Sequence, residues 1–366
     1  MAVPLTRRNL FAEPRRLVAA AVGVGLAVML ILLLDGLWAG VRSQVTRYSD
    51  RAGAALFVVP PGSRLLFTDY ATLPASIADD VARVDGVDWV APVRGQYAIV
   101  ELHGRKVAVS LIGSIPGERG GAWSLAEGRA PEADDEAVID SVVARRHGLD
   151  VGETVDLLGR DFRIVGLSSD TAGFMTGFVF VTHEATDELL QSPGTTSAVL
   201  VGTKDAGRVQ ATLQARGLEV LDRDEVRAEG VALATRIYGT PLRLMVAVAF
   251  AAGTLVIALT VYTAIAERRR EFGIVKAMGA SGGRLARLAL AQSLAVGGLG
   301  LAAGGVLFVV GRAAIVSARP QFAVVLTANS VIRAASAAVV MAVLAAVFPA
   351  RRLARLDPAT AYRGAG

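Results

Sequence analysis

Residues that commonly carry catalysis are sparse in this 366-residue chain, and their spacing matches no nucleotide-hydrolysing motif. A phosphate-binding P-loop places Lys directly before Ser or Thr, after a glycine-rich turn. The lysines of the chain, Lys106, Lys204 and Lys276, are followed instead by Val, Asp and Ala. The sequence therefore excludes ATP hydrolysis at a P-loop within these residues.

Other catalytic and metal-binding patterns are absent from the sequence as well. Histidine occurs only at His103, His147 and His183, and the pair His183-Glu184 lacks the second histidine of a zinc-protease helix. There is no cysteine, so thiolate ligands, disulfides and thiol nucleophiles are excluded. The nearest dinucleotide-binding pattern, residues 298–303, lies in an apolar segment with no strand before it. We predict that the chain is not an enzyme and itself binds no metal or cofactor.

A different functional segment lies at residues 262–281, which read YTAIAERRREFGIVKAMGAS. An apolar run ends at Glu267, and a helical pattern continues for about three turns to Gly279, a residue suited to the left-handed position after a helix. Its apolar side chains form a short stripe, at Phe272, Val275 and Met278. A stop-transfer signal needs only the arginines. The apolar stripe and the glycine stop go beyond that requirement. They predict a rigid lever that docks on a cytoplasmic partner, with a bare membrane anchor as the alternative.

Four apolar segments are long enough to cross a membrane. Hydrophobic residues make up 53% of the chain and the mean hydropathy is +0.49. A spanning helix needs about 20 apolar residues for about 30 Å of hydrocarbon. The predicted spans are residues 17–40, 240–266, 288–311 and 331–349. Asp35 is costly in hydrocarbon and marks the outer end of the first span, and Arg333 is expected to snorkel near the start of the last. The first segment is longer than the core of a signal peptide, so we expect it to be retained.

Charge is segregated along the chain and predicts its orientation. Residues 41–239 hold 20 basic and 28 acidic side chains, a net of −8, whereas the rest holds 18 and 5, a net of +13. The basic residues cluster beside the spans within 1–16, 267–287 and 350–366, which the positive-inside rule places in the cytoplasm. Residues 41–239 and the short loop 312–330 are then outside, in a multi-pass cell-membrane protein with both termini cytoplasmic.

Nucleic acid is an alternative partner for these basic clusters. They adjoin apolar spans, however, and have no interleaved aromatic residues. Anionic lipid headgroups explain them more simply. We therefore predict membrane lipids, and no nucleic acid, as partners.

The segment between the first two spans is large enough for one sizeable folded domain or two small ones. Its two flanks alternate between strand and helix patterns, with strands predicted at 55–59, 87–102, 106–112, 197–201 and 218–221 and helices at 73–84 and 206–216. Between them, about residues 113–190 read as an inserted lobe rich in short strands, at 137–140, 154–158, 162–167 and 178–181, with a helix at 141–146. The acidic run from Glu132 to Glu136 is predicted to be a solvated loop.

Small residues recur along the third span at helical spacing. They are Ser293, Gly297, Gly300, Gly304 and Gly311. This spacing places them along one face, where another helix can approach closely. Packing within the chain and self-association with a second copy both remain open.

Several motifs resemble those of a known family. The segment ERRREFGIVKAMGAS is similar to the signature of the FtsX-like permeases, the membrane subunits of MacB/LolC-type (type VII) ABC transporters. FPARRLARLDPATAYRG resembles the closing motif of the family, RRNLFAEPRRL its cytoplasmic N-terminal helix, and DSVVARRHGLDVGETVDLLGRDFRIVGL its external domain. The stretch DFRIVGL…GFMTGFVFV resembles the DevC-like subgroup.

The resemblance implies a fold class and a set of partners. The fold is an integral membrane protein with four transmembrane helices and a large extracytoplasmic α+β domain between helices 1 and 2, made of a porter-like βα lobe and an inserted β-rich lobe. The family implies a homodimer or pseudo-dimer and a separate cytoplasmic ABC ATPase that binds ATP and Mg. An extracytoplasmic adaptor, substrate-binding protein or hydrolase is a further expected partner.

The resemblance also implies which residues contact the ATPase. In the family this is the cytoplasmic turn between the second and third spans. Here the matching residues are Glu267, Arg268, Arg269, Arg270, Glu271, Phe272, Gly273, Lys276, Gly279 and Ala280.

Two functions follow from this resemblance. The first is a permease that couples ATP hydrolysis to movement of the outer domain and exports or extracts a lipid, lipoprotein or peptide. The second is an FtsX-like mechanotransmission regulator, which controls an external enzyme without moving cargo. A free-standing receptor or adhesion protein would leave the charged lever unexplained.

Overall fold

The computed structural model describes residues 14–67, 70–173, 176–267, 274, 281–318 and 323–354. The chain divides into two compact units. The helical unit comprises residues 1–39, 238–318 and 324–366, and the sheet unit comprises residues 40–237 and 319–323. Each unit has its own hydrophobic core.

The described helices are numbered in chain order. They are α1 (Pro14–Val45), α2 (Arg47–Arg51), α3 (Ile77–Ala82), α4 (Ser141–His147), α5 (His183–Leu189), α6 (Ala206–Ala215), α7 (Arg223–Ala234), α8 (Thr240–Glu267), α9 (Gly282–Ala318) and α10 (Ala328–Ala354). A single π-helical turn, Thr235–Gly239, lies between α7 and α8.

The described strands are numbered in the same way. They are β1 (Leu56–Val59), β2 (Leu73–Pro74), β3 (Val87–Leu102), β4 (Arg105–Ser114), β5 (Leu125–Gly128), β6 (Glu136–Asp140), β7 (Thr154–Leu157), β8 (Arg160–Ser168), β9 (Gly177–Thr182), β10 (Thr195–Thr196), β11 (Ala198–Thr203) and β12 (Glu219–Asp222).

Four of the described helices are long and apolar enough to cross a membrane, as the sequence predicts. They are α1, α8, α9 and α10, and each extends beyond its predicted span. A helix satisfies all its backbone hydrogen bonds internally, which is why uninterrupted apolar segments adopt this form in lipid. The side chains of Val24, Val28, Ile257, Phe308 and Met341 are almost fully buried where the four helices pack together.

The first lobe of the sheet unit follows the chain order β1-α3-β3-β11-α6-β12. Its strands lie in the order β12-β1-β11-β3, and all three pairings are antiparallel. This is the split βαβ arrangement of ferredoxin-like domains, with an insertion between its second and third strands. The alternating strands and helices predicted for the two flanks of this region are thereby confirmed.

The inserted lobe continues the same sheet through β4, β9, β6, β8 and β5. Strand β3 joins the two lobes, because its first half pairs with β11 and its second half pairs with β4. Phe162, Ile164 and Leu157 fill a separate core on the inserted side. The β-rich insert predicted from the sequence is thus present.

Strand ends and helix starts coincide in the sheet unit. Asp140, Thr182 and Asp222 each end a strand, and their side-chain oxygens accept hydrogen bonds from the first-turn amides of α4, α5 and α7. These residue types are favoured helix caps because they satisfy otherwise unpaired N–H groups. Gly148 ends α4 in a left-handed conformation with φ of 66°. Glycine suits this stop, because it has no Cβ to clash there.

Two local predictions are wrong. Residues 73–84 are not one helix, because Leu73–Pro74 forms a short strand with Thr195–Thr196 and α3 begins only at Ile77. The acidic run is not entirely a solvated loop. Glu136 begins β6 and is buried, with its carboxylate bound by Arg129 and Arg163.

Glu136 makes the stability of the sheet unit depend on pH, with a loss of stability in acid. The Arg129 guanidinium, aided by Arg163 and by the amides of Glu132 and Ala133, lowers the pKa of Glu136 from 4.5 to about 2. A carboxylate with a depressed folded pKa stabilises the native state above its unfolded pKa, and this stabilisation is lost as the pH falls from about 4.5 to about 2.

We predict that Glu136→Gln destabilises the purified full chain at pH 7 and flattens the acid dependence of its thermal midpoint below pH 4.5. Glutamine keeps the shape but cannot form the charged pairs. The control is Glu184→Gln, at an exposed residue with no ion pair in the described part of the chain. An acid dependence in Glu136→Gln as steep as in the parent would contradict this role.

Candidate coupling site

The predicted lever begins at Glu267, the last residue of α8. Nη1 of Arg16, in the first turn of α1, lies 2.7 Å and 2.6 Å from the two carboxylate oxygens of Glu267. The Arg16 side chain is 28% exposed and that of Glu267 is 53% exposed. This ion pair joins the end of α8 to the beginning of α1 at one end of the helical unit.

Most of the predicted coupling residues lie outside the described part of the chain. They are Arg268, Arg269, Arg270, Glu271, Phe272, Gly273, Lys276, Gly279 and Ala280. Between them, Ile274 is helical and its side chain is 43% exposed. Ser281 directly precedes α9, and its carbonyl accepts a hydrogen bond of 2.9 Å from the amide of Arg284. Ser281 therefore lies directly at the start of α9.

The small residues predicted along the third span all lie on α9, and the glycines among them face α1 or α10. A Cβ added at Gly304 would lie 2.7 Å from Cβ of Val28 and 2.9 Å from the carbonyl oxygen of Gly25. At Gly300 it would overlap Val24. The backbones of α1 and α9 are therefore in close contact, as small residues permit.

The other members of this set also face helices of the same chain. A Cβ at Gly297 would lie 3.3 Å from Cβ of Ala342 in α10, and one at Gly311 would lie 3.6 Å from Leu33 in α1. Ser293 is fully buried. Of the two alternatives left by the sequence, packing within the chain matches these contacts. Self-association through the same face stays a prediction.

A second ion pair lies at the other end of α1. Nη2 of Arg333 in α10 lies 2.8 Å and 2.9 Å from the carboxylate oxygens of Asp35, whose side chain is 15% exposed. Beside it, the amide of Val325 donates a hydrogen bond of 3.1 Å to the carbonyl of Gly36. The sequence gives Asp35 a structural role at this end, but not its partner. Helix α1 is thus tied to α8 at one end, to α10 at the other, and to α9 between them.

A further set of ion pairs lies within the sheet unit, around α2. Arg227 of α7 binds Asp50 of α2 at 2.6 Å. Arg51 binds Asp170 at 2.8 Å, and Arg47 lies 3.4 Å from the same carboxylate. Arg47 also donates to the carbonyl of Ala172 at 2.9 Å. Helix α2 therefore holds both α7 and the loop that follows β8.

The described residues include no group of three or more His, Asp or Glu side chains placed to hold a metal ion. Burial lowers the pKa of His183, so its imidazole is neutral at pH 7.

Comparisons with known proteins give two family matches along the chain. A family model described as MacB-like periplasmic core domain matches residues 17–216, and one described as FtsX-like permease C-terminal matches residues 243–358. An uncharacterized ABC transporter permease of Mycobacterium bovis is 27% identical over 362 residues, covering 96% of each chain. Another, from Mycobacterium tuberculosis, is 28% identical over 366 residues, covering 98% of each chain.

More distant matches include a longer protein and a partial structure. The macrolide export ATP-binding/permease protein MacB of Hyphomonas neptunium is 24% identical over 405 residues, covering 99% of this chain and 60% of that protein. The periplasmic region of MacB from Actinobacillus actinomycetemcomitans aligns with a TM-score of 0.37 and 14% identity, covering 48% of this chain and 92% of that one. The narrower DevC-like assignment stays a prediction.

The α1–α9 contact can be tested with two adjacent glycines. We predict that Gly304→Val lowers the free energy of unfolding by about 1–3 kcal/mol, because the added side chain overlaps Val28 and the backbone at Gly25. Gly305→Val is the matched control, because a Cβ at Gly305 meets no atom within 4 Å. The measurement is the thermal midpoint of each full-length variant in the same detergent. Equal midpoints for both variants would contradict the packing role of Gly304.

Proposed function

The chain belongs to the FtsX-like permeases with a MacB-like periplasmic core domain, and from that premise we propose that a separate cytoplasmic ATPase moves its outer domain through α1 and α8. It is an ABC transporter permease, a multi-pass membrane protein of MacB/FtsX type. The proposal adds the source of force, its path and the cargo. The observation that carries it is the Arg16–Glu267 pair, which ties the first residue of the predicted lever to α1.

The proposed ATPase is another polypeptide, which binds ATP and Mg. Relatives of nearly the same length as this chain are named permeases, whereas the MacB relative named ATP-binding/permease is longer. None of the three lysines of this chain stands in a P-loop. Residues 267–280, including the arginines at 268–270, form the proposed contact with that partner on the cytoplasmic side, where both termini also lie.

Force entering at Glu267 has a defined route within the helical unit. A displacement of the α8 end acts on Arg16, and so on α1. Because α1 also contacts α9 through Gly304 and α10 through Arg333, it cannot shift without repacking against both. The chain passes from the helical unit to the sheet unit within α1, at residues 39–40. In the sheet unit, α2 then holds the loop at Asp170 through Arg47 and Arg51.

The proposed cargo is an amphiphile, namely a lipid, lipoprotein or peptide that is exported or extracted. Buried polar side chains are scarce in the described part of the helical unit, where they are Gln292, Ser293 and Ser330. A water-filled path would be lined by more polar groups. This favours mechanical work on a molecule at the membrane over conduction through the bundle. A homodimer, and an extracytoplasmic adaptor, substrate-binding protein or hydrolase, belong to the same proposal.

The coupling role of the ion pair can be tested by exchanging its charges. We predict that Arg16→Glu and Glu267→Arg each reduce the permease-dependent stimulation of the partner ATPase by up to about fivefold, since a partly exposed pair is worth about 0.2–1 kcal/mol. The double exchange should restore it. The partner for this assay is the ABC ATPase that co-purifies with the chain, reconstituted with it in liposomes. Equal loss in the double exchange and the single variants would contradict the pairing.

The two candidate functions differ in what is moved. Stimulation of ATP hydrolysis by a lipid or lipopeptide, with its transfer out of the liposome, supports a transport permease. Activation of an external hydrolase with no cargo transferred would assign the chain to mechanotransmission instead. Failure of the ATPase to co-purify with the chain would overturn both.

A further inference from the structure

Three arginines lie at one level of the helical unit, at the end opposite the Arg16–Glu267 pair. The level follows from the helix contacts. Gly253 of α8 packs against Ala27 and Met341, and Gly304 of α9 packs against Val28. At about 1.5 Å per residue, Arg243, Arg312 and Arg333 lie about 12–15 Å from this common level, as does Asp35. That distance is half of the roughly 30 Å of hydrocarbon in a bilayer. With this level at the bilayer midplane, the four side chains lie at the edge of the hydrocarbon, within reach of the lipid phosphates.

The charges at this level do not balance. Of the five acidic residues in the helical unit, the structure describes Asp35 and Glu267, and of these two Asp35 lies near this end. Its two oxygens are occupied by Arg333. Two arginines thus remain without a carboxylate partner in the part of the chain that the structure describes.

The remaining two arginines, Arg243 and Arg312, are held in a similar way. Nε of Arg243 donates to the carbonyl of Gly239 at 3.1 Å, and Nε of Arg312 donates to the carbonyl of Val324 at 3.0 Å. Both residues are exposed. Because Nε donates to the backbone, each guanidinium has a fixed orientation. Its two Nη groups remain available to donate to a pair of acceptor oxygens.

We propose that Arg243 and Arg312 each bind the phosphate of an anionic phospholipid in the outer leaflet. Arginine forks bind phosphate oxygens bidentately, and these bonds are stronger than neutral ones. The positive-inside rule disfavours arginine in short segments at the outer surface, so a compensating anion accounts for their presence here. The inference rests on the proposed orientation, with residues 40–237 outside, and is independent of ATP coupling.

The experiment measures lipid binding to the full-length chain in detergent by native mass spectrometry, with phosphatidylglycerol as the anionic probe and phosphatidylcholine as its zwitterionic counterpart. Each arginine near an anionic surface strengthens binding by about fivefold. Arg243→Gln and Arg312→Gln should therefore each weaken phosphatidylglycerol binding by about that factor, and the double variant by their product. Lysine at both positions should restore part of the affinity, because it keeps the charge and loses the fork.

The matched control is Arg208→Gln, at an exposed arginine of α6 in the sheet unit. It removes the same charge and should leave lipid binding unchanged, and the basic segments at the other end of the helical unit contribute equally to every variant. Thermal midpoints confirm that the variants fold.

Three results would overturn the proposal. The first is unchanged phosphatidylglycerol binding in the double variant, and the second is equal binding of phosphatidylcholine and phosphatidylglycerol by the parent. The third is displacement of the lipid by an equally low concentration of inorganic phosphate, which would assign a free-anion site instead. ATPase stimulation by the same variants, reconstituted with the partner ATPase, distinguishes a failure of the lipid site from a failure of the proposed coupling.

Discussion

The missing Cβ atoms of Gly25, Gly300 and Gly304 are the constraint on which the helical unit depends. In hydrocarbon, helices gain little from burying apolar side chains, because the lipid tails are equally apolar. Close backbone approach and dispersion contacts must supply the association instead. The glycines let α1 and α9 meet along their backbones, with Val24 and Val28 seated in the groove. This contact places α1 against three other helices rather than at the edge of a bundle.

The two ion pairs of α1 have a positional role rather than a large energetic one. Arg16–Glu267 and Asp35–Arg333 lie near the ends of the helices, where water and headgroups screen charge and each pair contributes little to the free energy of unfolding. Each pair nevertheless joins α1 to one particular neighbour, α8 in the first case and α10 in the second. Under the proposed coupling, these links determine whether displacement at Glu267 reaches α1 or dissipates in the lipid.

The sheet unit is joined through one continuous sheet. Strand β3 belongs to both lobes, so the hydrogen-bonded ladder passes through the insertion without interruption. Glu136 and its two arginines brace the inserted side, and Arg47 and Arg51 hold the loop at Asp170 from α2. A displacement of α2 therefore acts on more than one point of the unit.

The sequence by itself determined the features that depend on local pattern. It determined the four spans, because each needs only about 20 apolar residues, and most strands, because their alternation is local. Family motifs added the coupling residues, most of which lie outside the described part of the chain.

Tertiary structure alone decided which side chains meet. Arg16 and Glu267 are separated by 251 residues, Asp35 and Arg333 by 298, and no local pattern pairs them. Glu136 resembles its solvated neighbours until β6 and β8 bring Arg163 beside it. The small face of α9 suits a helix of this chain or of a second copy, because either needs the same absence of side-chain volume, and only the tertiary structure places α1 and α10 against it.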